Sequence, residues 1–177
     1  MTPAQIEDSF NDLKIMLEPL HNIKLKRSEW RCTSVGGWIQ NTAKVETHEE
    51  NIKGIVFGKA KVLGSASVLG DAQVYGNAVV TDSAVIEDQA RVYENAEVSD
   101  HSDVSGRSRV YGKSKVYDDA NVYGEAHIFG NAQVYGHAQI AGQGKVYGNG
   151  KVYGNAEIFK GKQVFGDMNV ATKTASR

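Results

Sequence analysis

Branched aliphatic residues recur at every sixth position along the C-terminal two-thirds of this chain. From Val56 to Val170 they define twenty hexads without an insertion. Two positions before the aliphatic residue stands Ala, Ser or Gly in eighteen of the twenty hexads, the exceptions being Lys162 and Met168. A short fixed period of this kind predicts a repeat architecture in which each unit contributes the same small element.

The unit reads Ala-x-Val-Tyr-Gly-Asn, as in residues 72–77. In an extended segment, residues two apart share a face, so the small and the aliphatic residues point inward and their neighbours outward. Gly and Asn tolerate the positive φ of a tight corner. Three such sides close a triangular coil, and residues 18 apart then stack as parallel strands about 4.8 Å from each other. The pattern predicts an all-β fold, a parallel triangular β-helix.

Residues 54–171 resemble the hexapeptide-repeat family on these hexads, and that family folds as a left-handed β-helix. In Val74-Tyr75-Gly76-Asn77-Ala78 an aromatic residue follows the aliphatic one and Gly comes one position later than is usual in the family. This variant is similar to poorly characterised repeat proteins of bacteria and phages. The resemblance therefore implies a left-handed coil and, from the phage-associated members, inhibition of a host protein.

The family also contains acyl-coenzyme A dependent acyltransferases, which imply a second hypothesis. Those enzymes use a histidine near a subunit cleft and usually interrupt the coils with a loop that shapes the cofactor site. The twenty hexads here have no interruption, and His101 or His137 would be the base. We expect no catalytic residues and no cofactor, and we keep the transferase as the alternative to a non-catalytic scaffold.

The sequence divides into an N-terminal segment at 1–53, the repeat at 54–171 and a short tail at 172–177. Thr2 and Gln5 have capping-box spacing, Pro3 suits the first helical position, and apolar residues line one face up to Pro19. We predict a helix over about 3–18. The segment is expected to cap the open N-terminal end of the β-helix, with a partner-binding helix or oligomerisation arm as the alternative.

The outward residues of one face form an uninterrupted aromatic column. Its members lie 18 residues apart and are Phe57, Tyr75, Tyr93, Tyr111, Phe129, Tyr147 and Phe165. The other two faces mix aromatic, aliphatic and polar residues at the same position. One interpretation is that stacked rings merely stabilise parallel strands. The restriction to one face favours a binding surface.

The neighbouring outward column on this face contains Arg91, Arg109 and Lys145, together with His127, and no acid. Aromatic residues beside cationic ones form an amphipathic patch of the kind found at protein interfaces. We predict a protein partner, including a second copy of the chain. Nucleic-acid binding is disfavoured because the net charge is only −1.

One corner carries Asp82, Asp100, Asp118 and Asp119 with His101 and His137. Stacked Asp and His side chains are potential metal ligands or acid–base groups. Asp also replaces Gly or Asn at tight turns, and this interpretation is favoured. We therefore predict no metal site.

The amino-acid composition indicates the cellular compartment in which the protein is expected. Cys32 is the only cysteine, which excludes an internal disulfide and fits a reducing compartment. No apolar run approaches the roughly 20 residues that cross a bilayer. We expect a cytoplasmic protein without a membrane anchor.

Overall fold

A computed structural model describes residues 2–21, 24–34 and 36–171. It confirms an all-β fold of parallel stacked strands preceded by one helix. The helix α1 spans Pro3–His21, and two short 3₁₀ helices span Arg27–Glu29 and Glu49–Asn51. The left hand of the coil stays a prediction from the resemblance.

The strands are two or three residues long, one for each side of a coil. In chain order they are β1 Trp30–Cys32, β2 Trp38–Gln40, β3 Lys44–Glu46, β4 Ile55–Val56, β5 Lys61–Leu63, β6 Ser67–Val68, β7 Gln73–Val74, β8 Val79–Val80, β9 Val85–Ile86, β10 Arg91–Val92, β11 Glu97–Val98, β12 Asp103–Val104, β13 Arg109–Val110, β14 Lys115–Val116, β15 Asn121–Val122, β16 His127–Ile128, β17 Gln133–Val134, β18 Gln139–Ile140, β19 Lys145–Val146, β20 Lys151–Val152, β21 Glu157–Ile158, β22 Gln163–Val164 and β23 Asn169–Val170.

Every third strand of the repeat belongs to the same sheet, which gives three sheets around one core. The first sheet has the order β1-β2-β4-β7-β10-β13-β16-β19-β22, the second β3-β5-β8-β11-β14-β17-β20-β23 and the third β6-β9-β12-β15-β18-β21. Within the repeat, neighbouring strands are parallel and in register, so that Val92 pairs with Val74 on one side and with Val110 on the other. The predicted stacking of residues 18 apart is confirmed.

The inward positions form one continuous core. The aliphatic residues from Val56 to Ile158 and the alanines two positions before them are almost fully buried. The small residue is required because the chain turns next to it: a Cβ added at Gly150 would lie 3.0 Å from the Val164 carbonyl oxygen. Lys162 and Met168, the two large residues at this position, belong to the last described coil and are exposed.

Parallel stacking begins before the strict repeat does. Trp38 pairs with Ile55 and Lys44 with Lys61, so β2 and β3 already form two sides of a coil. An isolated bridge from Ile52 to Val68 supplies the third side. Ahead of these, β1 runs antiparallel to β2 and covers the N-terminal edge of the first sheet.

The helix α1 lies on the outer face of the first sheet, at its N-terminal end. Its start has the predicted capping box: the Thr2 N–H donates to Gln5 Oε1 at 2.8 Å and the Gln5 N–H donates to Thr2 Oγ1 at 3.2 Å. The helix continues three residues beyond the predicted end and includes Pro19 in its last turn. A buried cluster joins the helix to the sheet; its members are Phe10, Leu13, Leu17, Leu25, Trp30, Trp38, Ile55 and Phe57.

None of the helices in the described part of the chain is both long and apolar enough to cross a membrane.

Candidate protein-binding face

The seven rings of the predicted aromatic column stack into one ladder. Centroids of consecutive rings lie 4.8–5.5 Å apart from Phe57 to Phe165, and the ring planes are within 17° of parallel. The spacing follows from the parallel register, because each ring extends from the same position of successive strands. The ladder spans the repeat from β4 to β22.

The exposure of the ladder changes along its length. Phe57 is buried against Trp30, whose ring centroid is 5.9 Å away, and lies in the cluster that packs against α1. Tyr75 is half-buried and packs against the same cluster. From Tyr93 to Tyr147 the rings stay half-buried, and Phe165 at the end is 48% exposed. The cluster that joins α1 to the sheet reaches the ladder only at Phe57 and Tyr75, and we call the rings from Tyr93 to Phe165 the open part of the ladder.

The basic column runs beside the ladder on the same sheet. Arg91 pairs in register with Arg109, Arg109 with His127, and His127 with Lys145. Among the described residues, none makes a salt bridge to Arg91, Arg109 or Lys145. Like charges on directly neighbouring strands are destabilising. We name the seven rings with Arg91, Arg109 and Lys145 the aromatic–basic face.

The second sheet provides an internal comparison. Its outward column also contains lysines, but Lys115 Nζ lies 2.6 Å from Glu97 Oε2 of the preceding coil. Tyr117, Tyr135 and Tyr153 stack there with centroids 4.9 and 5.1 Å apart. Ring stacking therefore occurs on more than one face. The combination of a full-length ladder with an unpaired basic column distinguishes the first sheet.

Burial favours the neutral form of three tyrosines and of one histidine on this face. Burial raises the pKa of Tyr93 to about 12, and burial also raises the pKa values of Tyr75 and Tyr111. Burial lowers the pKa of His127 below 6.5, and the positive charges of Arg109 and Lys145 lower that pKa further. At neutral pH the charge of the face thus comes from its arginines and Lys145.

The acidic corner has a structural explanation. Asp82, Asp100 and Asp118 have φ near +60°, the conformation that Gly adopts at the equivalent position of other coils. The Asp118 N–H donates to Asp100 Oδ2 at 3.2 Å, and the Gly136 N–H donates to Asp118 Oδ2 at 3.0 Å. These carboxylates thereby bind the backbone of the following coil.

The neighbouring column of the same corner contains His101, Asp119 and His137. His137 Nδ1 lies 3.5 Å from Asp119 Oδ2, with both side chains more than half exposed. Across the described residues, no group of three or more His, Cys, Asp or Glu side chains is arranged to hold a metal ion. The corner offers a histidine–carboxylate pair on an open surface.

Sequence reasoning did not find how α1 meets the face. The Arg27 guanidinium lies over the rings of Phe10 and Trp38, at 5.5 and 5.2 Å from their centroids. On the sheet, the buried Gln73 amide lies 3.7 Å from Met16 Sδ. The apolar spacing of α1 predicts a buried stripe, but spacing alone does not identify the surface that the stripe covers.

Comparison with known proteins yields no match: no family model fits the chain, and no similar curated protein or solved structure is found.

Proposed function

We propose that this protein is a non-catalytic scaffold that binds protein, including a second copy of itself, through the aromatic–basic face. The observation that carries the proposal is the open ladder from Tyr93 to Phe165 beside a basic column without ion pairs to described residues. Aromatic and Arg side chains are the residue types that most often anchor interfaces. The single cysteine supports a reducing compartment, and the proposal places the protein in the cytoplasm.

The rings of the ladder extend from a rigid sheet, and this favours the same function. Each ring from Phe57 to Tyr147 extends from a strand that has a paired strand on both sides, as when the Tyr93 N–H donates to the Val110 carbonyl oxygen at 3.0 Å. An anchor that is already ordered loses little conformational entropy on binding. Stacked rings on a rigid sheet are therefore well prepared to contact a partner.

The test is the solution mass by light scattering across a dilution series. We expect the parent to self-associate and the double variant Tyr93→Ala/Tyr111→Ala to associate roughly a hundredfold more weakly. Truncation of a central aromatic anchor commonly costs about 2 kcal/mol or more of binding free energy. The matched control is Tyr135→Ala/Tyr153→Ala, which removes two stacked rings from the second sheet. Circular dichroism melting establishes that all three proteins are folded.

A parent that stays monomeric at high concentration would exclude self-association and leave the face as a site for a different protein. If the Tyr93→Ala/Tyr111→Ala variant retains both its mass and its partners, the ladder only stabilises the strands. Inhibition of a host protein stays an expectation from the resemblance.

A further inference from the structure

The solvent side of α1 exposes one large apolar side chain. Ile15 is 75% exposed, whereas Phe10, Leu13 and Leu17 are buried against the sheet. An isoleucine exposed to this degree gains little from packing within its own chain, so its burial would stabilise contact with a second surface.

Two acidic residues lie beside Ile15 on the same side of the helix. Asp8, Asp12 and Ile15 share one side of the helix, because residues three, four or seven positions apart lie above one another. Asp8 and Asp12 are exposed and form no salt bridge within the described chain. The outer side of α1 therefore combines one exposed apolar side chain with two negative charges that have no salt bridge to a described residue.

The open part of the aromatic–basic face has the complementary character. Half-exposed rings run from Tyr93 to Tyr147, and Arg109 and Lys145 beside them make no salt bridge to a described residue. Unpaired acids thus lie at one end of this side of the molecule and unpaired bases at the other. A protein that separates opposite charges in this way is suited to pair with a second copy of itself.

We infer that α1 of each copy docks on the open part of the ladder of the other copy in a closed two-fold dimer. The two features lie on the same side of the first sheet, with α1 at the N-terminal end and the open part of the ladder beyond it. A two-fold axis perpendicular to the solenoid axis places each helix opposite the open part of the partner's ladder, so the same contact forms twice. This inference rests on the proposed function, because it uses the aromatic–basic face for self-association.

Charge selects this arrangement over the parallel one. A two-fold axis along the solenoid would place α1 against α1, and Asp8 and Asp12 would then face the acids of the partner. In the antiparallel arrangement the helices, each about 10 Å thick, also separate the two basic columns. The two symmetry-related contacts of α1 with the partner's sheet together bury an area on the order of 800 Å² per partner, as standard interfaces do.

The test is sedimentation equilibrium of the full chain and its variants, with melting by circular dichroism to establish that each is folded. Ile15→Glu should weaken dimerisation roughly tenfold or more, because it places a charge at the centre of the contact. Two charge reversals, Asp8→Lys/Asp12→Lys and Arg109→Glu/Lys145→Glu, should each weaken it similarly. Combined in one chain, the four substitutions should restore association to within a few fold of the parent.

The matched control is Lys61→Glu/Lys151→Glu, which reverses two unpaired lysines of the second sheet. It should leave the dimer unchanged, and an equal weakening would overturn the inference by showing that net charge alone matters. A parent that is monomeric, or one that grows beyond a dimer with concentration, would also overturn it. If Tyr93→Ala/Tyr111→Ala dissociates the protein while Ile15→Glu and both reversals do not, the proposed function stands and the docking of α1 is wrong.

Discussion

The corner residues show how a single backbone angle determines which side chains the repeat accepts. Gly124, like most glycines of the repeat, has a positive φ, and Asp88, Glu94 and Asp118 share that conformation. The acids gain a compensation: Glu94 Oε2 accepts a hydrogen bond from the Gly112 N–H at 2.9 Å, and Asp88 Oδ2 accepts one from the Gly106 N–H at 3.0 Å. At these two corners the acid offsets its left-handed strain by binding the next coil, whereas Lys160 shows that a residue other than Gly or an acid can also adopt the conformation.

Gly124 and Gly161 have nearly the same φ but different surroundings, so substituting each by alanine separates the cost of backbone strain from the cost of crowding by the next coil. Gly124 and Gly161 have φ of +73° and +72°, yet a Cβ on Gly124 would lie 2.8 Å from the Gly142 nitrogen, whereas nothing lies within 4 Å of a Cβ on Gly161. We expect both alanine variants to be destabilised by left-handed strain of about 1 kcal/mol. Gly124→Ala should lose about 1–2 kcal/mol more, because the backbone of the next coil must shift. Urea denaturation of the two variants measures the difference, and equal losses would show that crowding between coils is negligible.

Asp103 gives the third sheet a pH-dependent stability. Burial raises the pKa of its carboxyl group above 3.8, and the nearby Asp88 raises that pKa further; its Oδ1 atom is buried without a hydrogen-bond partner in the described structure. Because the folded-state pKa is raised, the stabilising contribution is full below the unfolded-state pKa and is lost as the pH rises through the folded-state value. Asp103→Asn should therefore melt higher than the parent at pH 7, and the gap should shrink toward pH 3.5. A constant gap across this range would contradict the assignment.

At the scale of the strand, one residue faces the core and its neighbour faces solvent. In β15, Val122 is fully buried and Asn121 is exposed. Val122→Asp should destabilise the protein by several kcal/mol, because it buries a charge without a partner. Asn121→Lys adds a charge one residue away, on the exposed side and directly opposite Asp103, and should not lower stability by more than about 0.5 kcal/mol. Thermal melts of the two variants that coincide would contradict the inward assignment of the aliphatic residues.

The sequence predicts strands well where the period holds and fails where the first coil departs from it. Ile55 pairs with Gln73, a separation of 18 residues, but Trp38 pairs with Ile55, a separation of 17. This one-residue difference places β2 and β3 out of phase with the hexads, so a search for a fixed period cannot find them. The stacked ladder follows from the register and is therefore predictable; the position of α1 on that ladder depends on tertiary packing.

At the scale of the whole molecule, the candidate site combines a predictable part with one that required the structure. The rings from Phe57 to Phe165 and the basic column can be read from residues 18 apart. The division of the ladder into a covered and an open part cannot be predicted from the sequence, because it depends on where Phe10 and Leu13 of α1 pack. Ile15 lies outside the apolar spacing of the buried stripe, and the proposed second contact surface depends on this residue.

The two ends of the solenoid differ, and this gives the molecule a direction of unfolding. A stack of coils behaves as a one-dimensional chain of units coupled to their nearest neighbours, so a terminal unit has only one coupling. At the N-terminus, β1 and α1 add to that coupling, whereas β22 and β23 receive no further strand from the described residues. Cooperative opening should therefore start at the C-terminal coil and proceed toward α1. In native-state hydrogen exchange, the protection of strand amides in the first sheet should rise stepwise from β22 to β10, and uniform protection would indicate a single all-or-none unit.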